Sequence, residues 1–412
     1  MLRRPLLLVG LLCILLTCCA QNQNTVVPEP SPRTSEPVHT PASAPPDPAL
    51  DMLKAMSLDQ KLGQMLIAGF QGTHPGEDAR KLIQEHNVGG VILMPRNVQT
   101  ATQLLAALNA LKAMNPPDSP ALFLAVDEEG GRVSRLPPEF VSLPPALAMS
   151  HHPEPEHAYN TGVMLARLLF AFGYNMNFAP VLDIHSNPLN PVIGDRAIGT
   201  DERVVSSLGV QVMLGMQSGA IISVPKHFPG HGDTSSDSHV SLPVLAHGLE
   251  RLLEVEIPPF EAAIRSGADA IMVAHILFPE IDPERAASLS ATFVTGLLRQ
   301  SLGFDGVVIT DDLTMNAITQ VHTIADAAVL AVEAGVDIVL VCHGYDNQIE
   351  VLDALKLAVN SGRLEESRID ESVYRVLKLK MKYALEDTEI DHIDTDALNA
   401  DTRAHIESVL KR

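Results

Sequence analysis

The chain has no tryptophan, and its tyrosines and phenylalanines bring aromatic residues to only 4% of 412. A long groove that stacks rings along a polymer is therefore not expected, whereas a small pocket for one terminal unit is. Cysteine is also scarce. Of four, Cys13, Cys18 and Cys19 fall at the N-terminus, which leaves Cys342 alone in the rest of the chain. One thiol forms no internal disulfide, and no CxxC pair offers a zinc site. Basic residues are outnumbered, 29 against 50 acidic ones, for a formal charge of −21. That balance excludes nucleic acid as a partner, because phosphate binding needs a basic face. It would also repel an anionic membrane, so attachment there has to come from something other than a polybasic patch.

The N-terminus offers such a means. Arg3 and Arg4 precede an apolar run over residues 6–16, then Thr17-Cys18-Cys19. A run of about a dozen apolar residues is too short for a spanning helix, which needs ~20, and the pattern over residues 1–18 is that of a secretory signal. Leu16-Thr17-Cys18-Cys19 resembles a bacterial lipoprotein cleavage box with Cys19 as the acylated residue. A second frame would put the lipid on Cys18. The resemblance implies an exported protein held to the cell envelope by buried acyl methylenes. Residues 19–49 are rich in Pro, Ser, Thr and Glu and read as a disordered tether, unable to bury enough surface to offset chain entropy.

Beyond residue 50 the pattern alternates short apolar runs with amphipathic stretches. Strands are expected at 65–70, 90–94, 122–126, 175–179, 221–225, 270–274, 306–310 and 337–341. Helices are expected at 77–86, 100–114, 157–172, 202–218, 258–266, 290–302, 324–334 and 348–360. Eight βα units with buried-type strands predict an α/β fold, a closed (β/α)8 TIM barrel over residues 50–385. A doubly wound sheet would need a Gly-rich phosphate turn after its first strand, and Phe70-Gln71-Gly72-Thr73 is not one. Residues 386–412 form a polar, acidic tail with a weak helical pattern, expected to pack on the domain or stay mobile.

In such a barrel the chemistry lies at the C-terminal ends of the strands. Those ends carry Asp127, Asp183, Lys226-His227, His275, Asp311-Asp312 and His343. Core filling does not explain the gathering, since buried charges cost several kcal/mol unless paired. The segment from Lys226 to His239 is the most informative. Its Asp237 and His239 are two residues apart, close enough for the carboxylate to hold the imidazole, as in hydrolase triads. A metal loop is the competing reading, with His227, His231, Asp233, Asp237 and His239 as possible ligands. The spacing matches no zinc signature such as HExxH, and no metal is expected.

Lys226-His227-Phe228-Pro229-Gly230-His231-Gly232, then four residues and Asp237-Ser238-His239, resembles the signature of the β-N-acetylglucosaminidases of glycoside hydrolase family 3. Residues 126–136, 177–183, 195–201 and 303–313 resemble further segments of that family: its substrate-binding turn, fourth strand, Arg-bearing loop and nucleophile strand. The resemblance runs from about Leu58 to Ala384. It implies Asp311 as nucleophile and His239, oriented by Asp237, as acid/base. It further implies that Asp127, Arg135, Arg196, Lys226 and His227 bind the sugar hydroxyls and the acetamido group. Arg132, Asp183 and His275 are candidates of lower rank. Asp312 is expected to anchor a helix start or a nearby base.

The implied reaction is retaining removal of terminal β-linked N-acetylglucosamine from peptidoglycan fragments or chito-oligosaccharides, through a covalent glycosyl-enzyme. It needs no cofactor, and a monomer is expected. A neutral imidazole repels an anionic nucleophile less than a second carboxylate would, so phosphate in place of water is an open acceptor. Two other functions compete. One is a β-glucosidase of the same family, against which the Asp-Ser-His loop speaks. The other is a lipid-anchored sugar- or peptidoglycan-binding protein on an inactive barrel, since fold never proves activity.

Overall fold

The computed structural model describes residues 46–410. The expected signal, Cys19 and the tether up to residue 45 lie outside the described residues. Eight parallel strands occur where the apolar runs predict them. They are β1 (Leu66–Gly69), β2 (Gly90–Leu93), β3 (Phe123–Val126), β4 (Met176–Asn177), β5 (Ile222–Ser223), β6 (Ala270–Val273), β7 (Val307–Asp312) and β8 (Ile338–Val341). Their order is β5-β4-β3-β2-β1-β8-β7-β6. The remaining seam, between β5 and β6, closes through Phe228, whose amide donates to Met272 O (2.9 Å) and whose carbonyl accepts from Ala274 N (2.8 Å). The sheet is thus a closed (β/α)8 barrel. β4 and β5 are only two residues long because Pro180 and Pro225 follow them and lack the N–H that a ladder needs.

Side chains alternate between two cores, as the period of a strand dictates. Ile92, Phe123, Ala125, Ile338 and Leu340 point into the barrel, and Val91, Leu93, Leu124, Val339 and Val341 point out to the helices. Both faces are apolar, which is why the strands read as unbroken runs. Helices at Glu77–Gln84, Ala101–Met114, Pro155–Phe172, Glu202–Ser218, Pro258–Arg265, Ile324–Ala334 and Tyr345–Asn360 form the outer layer, and the sixth unit is a π-helix over Thr292–Ser301. Side-chain caps start several of them: Thr100 accepts from Gln103 N, Asp201 from Arg203 N and Val204 N, and Thr323 from Asp326 N. Each such cap satisfies an amide that the helix leaves unpaired.

Three helices were not expected from the pattern. Helices Pro48–Ala55 and Leu58–Gln64 lead into β1, and helix Glu366–Lys382 stoppers the lower mouth of the barrel. The stopper's apolar residues, Ile369, Val373, Val376 and Leu377, recur at helical spacing inside a charged segment. Val376 and Leu379 complete the inner core. Lys380 enters it too, donating to Gln64 Oε1 (2.7 Å) and Gly89 O (2.8 Å) beneath the Phe123 ring. Burial lowers that ammonium to about 7. Within the 386–412 segment, Thr395–Leu410 is a helix that packs on Pro155–Phe172.

Candidate active site

The upper mouth of the barrel opens into a cavity of about 370 Å³. Its floor is the top layer of the inner core, Ile92, Phe178, Met272, Leu340 and Cys342. Its walls carry Asp127, Arg135, Arg196, Lys226, His227 and His239, from the loops after β3, β4 and β5, and Asp311, from the end of β7 itself. Seven of the eight residues expected at the site therefore meet in one cavity. The eighth, Asp237, stands behind His239.

Charge at the wall is organised by a residue that the sequence reading did not single out. Glu129 takes both Nε and Nη2 of Arg196, each at 2.8 Å, and Lys226 Nζ at 2.7 Å. Lys226 also reaches Asp127 Oδ1 at 2.6 Å. The Glu129 and Lys226 side chains are each 3% exposed. Burial pushes the Glu129 carboxyl up, but Lys226 and Arg196 outweigh it and hold the acid ionised. Burial likewise works against the Lys226 charge, and Asp127 and Glu129 reverse that effect. Two cations face two carboxylates, and one carboxylate spans both cations. The signal was present in the sequence: Lys226 and Arg196, two cations expected in one site, need more than Asp127 alone to balance them.

Behind this cluster a second set of contacts orients the imidazoles. Asp183 Oδ2 lies 2.6 Å from His227 Nδ1, while its Oδ1 accepts from the His227 and His231 amides (3.3 and 2.7 Å). Nε2 of His227 then faces Arg196 Nη2 at 3.4 Å. Asp183 is fully buried and does not line the cavity, so it positions His227. His231 is buried as well, and burial lowers it to about 4, so its ring is neutral. Its Nδ1 meets Thr234 Oγ1 at 2.7 Å and its Nε2 meets Ser238 Oγ at 3.3 Å, which fastens the residue between Asp237 and His239.

The Asp237–His239 pair forms as expected. Asp237 Oδ1 accepts from the His239 amide (2.8 Å) and from its Nδ1 (2.9 Å), which leaves Nε2 unengaged by that partner. The loop is held from the other side by Asn316, whose Nδ2 donates to His239 O, and by Ala317, whose amide donates to Ser238 O. The His239 side chain is nevertheless 70% exposed. Asp311 lies deeper, its Oδ1 accepting from Asp312 N at 2.8 Å. Burial works against its charge. The His275 and His227 rings, the Asp312 amide and Lys226 outweigh burial and hold the carboxyl below its usual 3.8.

Asp312 was expected to anchor a helix start or a nearby base, and its Oδ2 lies 3.8 Å from His343 Nε2. It accepts from Thr314 N and Cys342 N, both at 3.0 Å, and from the Thr314 hydroxyl at 2.6 Å, so it ties the end of β7 to the end of β8. His275 is buried under the site between Ser288 Oγ (2.7 Å) and Asp312 O (3.1 Å). Arg132 pins the loop that carries Arg196, donating to Val192 O and Ile193 O and pairing with Asp195 at 2.8 Å. Among the described residues no group of three His, Cys, Asp or Glu is placed to hold a metal.

A closed barrel whose upper mouth gathers an ionised carboxylate, an Asp–His pair and a wall of paired charges is the framework of a glycoside hydrolase. Residues 57–379 match the model of the glycosyl hydrolase family 3 N-terminal domain. The chain is similar to the β-hexosaminidase of Thiobacillus denitrificans, 38% identical over 296 residues that cover 70% of this chain and 81% of that protein. Among solved structures it is similar to the family 3 β-N-acetylglucosaminidase of Paenibacillus sp. (TM-score 0.79, 43% identity, 85% of this chain and 68% of that one). It is also similar to the β-N-acetylhexosaminidase of Beutenbergia cavernae (TM-score 0.74, 30% identity, 79% and 99%). The chain belongs to glycoside hydrolase family 3.

A pH effect follows from Glu128, which is fully buried beneath the wall. Its Oε2 accepts from Ser134 Oγ (2.8 Å) and Arg135 N (2.6 Å), while Oε1 has no partner among the described residues. Burial raises the carboxyl from 4.5 to about 7, against the pull of those two donors. Between these values the folded protein holds a proton that the unfolded chain has lost, so this group's contribution to stability falls as pH rises from 4.5 to 7. Thermal unfolding followed from pH 4.5 to 8 should show wild type losing stability relative to Glu128→Gln across that window. Parallel curves would contradict the assignment.

Proposed function

We propose that this family 3 glycosidase, a β-N-acetylhexosaminidase, works by double displacement with retention, with Asp311 as nucleophile and His239 as acid/base. The observation that carries the reading is the presence in one cavity of an ionised Asp311 and a His239 whose Nε2 is left open by Asp237. Asp311 attacks the anomeric carbon while His239 Nε2–H protonates the leaving oxygen. The neutral ring then takes a proton from water as water attacks the glycosyl-enzyme, the same sequence that carboxylate pairs perform in other retaining enzymes. Asp237 accepts the hydrogen bond from Nδ1–H throughout and stabilises the imidazolium form of the ring.

Asp127, Arg135, Arg196, Lys226 and His227 bind the sugar hydroxyls and the acetamido group. Lys226 and Arg196 are already fixed by Asp127 and Glu129, so they lose little freedom on meeting substrate. A cavity of about 370 Å³ is near the lower end of the range for ligand sites, roughly 300–1,000 Å³, and suits one terminal sugar. The natural substrate is then a non-reducing N-acetylglucosamine on a peptidoglycan fragment or a chito-oligosaccharide. An exported enzyme, anchored by a lipid on Cys19, would meet such glycans in the envelope. Cys19→Ser should move the full-length protein from the membrane fraction to the soluble one; an unchanged distribution would argue against that anchor.

Release of 4-nitrophenol from its β-N-acetylglucosaminide and its β-glucoside tests the reaction. Wild type should cleave the acetamido substrate preferentially, and Asp311→Ala should fall to background. His239→Ala should lose about 10²–10⁴-fold on substrates with poor leaving groups, the usual worth of general acid–base catalysis. Adding phosphate should leave free N-acetylglucosamine as the product; sugar 1-phosphate in its place would make phosphate the acceptor. Preference for the glucoside, or no release from either, would favour one of the competing functions.

A further inference from the structure

The C-terminal helix Thr395–Leu410 lies beyond residue 379, where the match to the family domain ends. It is nevertheless docked by one face. Asn399, Thr402 and Val409 are buried, and His405 and Ile406 are half-buried, a spacing that repeats with the turn of a helix. Thr161 Oγ1 meets His405 Nε2 at 2.9 Å. His405, Ile406 and Val409 also close a cavity of about 30 Å³ whose inner wall includes Glu129 and Arg196. The helix therefore backs directly onto the charged wall of the site.

Its most specific contact is made by Asn399. The side-chain amide holds a loop on both sides of Phe140: Nδ2 donates to Glu139 O (2.8 Å), and Oδ1 accepts from Val141 N (2.7 Å). That loop runs on through Leu143, Pro144 and Pro145, which press against the sugar-binding turn. Leu143 O accepts from Gly131 N at 2.8 Å. Gly131 has φ 55°, and a Cβ there would stand 2.7 Å from Pro145 Cα, so the two backbones are in direct contact. The turn continues to Glu129, whose amide donates to Val133 O, and to Arg135, which lines the cavity. A continuous chain of contacts thus runs from Asn399 to the residues that face the sugar.

We propose that the C-terminal helix is a strut of the active site and that Asn399 is a positioning residue, setting the Gly130–Arg135 turn and, through Glu129, the Arg196 guanidinium. Phe140 anchors the same loop apolarly, its ring 5.2 Å from that of Phe172. An apolar contact fixes depth but leaves the peptide planes free to rotate, whereas the two hydrogen bonds from Asn399 fix both flanking peptides. Loss of Asn399 should therefore loosen the turn without unfolding the barrel. The affected groups bind sugar and are not Asp311 or His239, so the loss should appear chiefly in KM.

The inference rests on the proposed hexosaminidase reaction for its kinetic readout and on hydrogen exchange for a readout that needs no activity. In full-length Asn399→Ala, KM for the nitrophenyl N-acetylglucosaminide should rise roughly tenfold, the scale of a displaced binding group, with kcat within about threefold. Amide exchange over residues 128–136 should speed up. Asn399→Asp keeps the acceptor for Val141 N but sets a carboxylate oxygen against Glu139 O, so it too should raise KM and speed exchange over 128–136. Asp401→Ala removes only the surface pair with Arg167 on the same helix and should change neither quantity. If Asn399→Ala fails to fold, the Asp variant carries the test. A KM equal to wild type with fewer active molecules, or unchanged exchange over 128–136, would overturn the strut. Absence of wild-type activity would sink the reaction but leave the exchange comparison decisive.

Discussion

The site depends on the burial of Lys226, Glu129 and Arg196 in one contact. Each ion loses several kcal/mol of hydration when taken from water, and only close, multiply bonded geometry repays that loss. Here Glu129 meets three nitrogens within 2.8 Å, and Asp127 takes a further bond from Lys226. Because the partners come from the loops after β3, β4 and β5, their pairing also fixes those loops against one another. Removing Glu129 would leave Arg196 buried without a carboxylate partner and Lys226 with Asp127 alone. In the proposed reaction the wall that receives the sugar would thus be set before substrate arrives, which is the condition for electrostatic stabilisation without reorganisation.

The rest of the site is graded around that cluster. Asp183 and His231 are buried and serve by holding His227 and Ser238 in place. Asp311 is set on a strand and is kept ionised by neighbouring rings and Lys226. His239 differs from all of them in standing mostly in solvent on a loop, tethered by Asp237, Asn316 and Ala317. Such a division suits the acid/base role proposed for His239, which would meet both a leaving oxygen and an incoming water. Asp311 is set on a strand of the barrel, and His239 is set on a loop.

The barrel and its strand ends were legible in the sequence because burial on both faces writes each strand as an apolar run. The eight strands fall where those runs predict them, and seven expected site residues line one cavity. Less was legible where local pattern and tertiary task diverge. Helix Glu366–Lys382 hides its apolar stripe among lysines, arginines and glutamates, and its job as a stopper exists only once the barrel has closed. Glu129 was passed over because it sits two residues beyond Asp127, and its worth comes from Arg196 and Lys226, 67 and 97 positions further along the chain. Asp312 was legible only in part: its place after Asp311 suggests an anchor for a helix start or a nearby base, and beside His343 its lone pairs also go to the end of β8. The weak helical pattern past residue 386 likewise carried no hint that Asn399 would hold a loop some 260 residues earlier.

Capture of the covalent intermediate tests the central claim most directly. A 5-fluoro N-acetylglucosaminyl fluoride has a leaving group that needs no proton and a ring that resists the second step, so a glycosyl-enzyme should accumulate. Intact mass followed by peptide mapping should place one sugar on the peptide bearing Asp311, with the same yield in His239→Ala. An adduct on any other residue, or full turnover with no adduct under conditions where the inhibitor is consumed, would contradict the account.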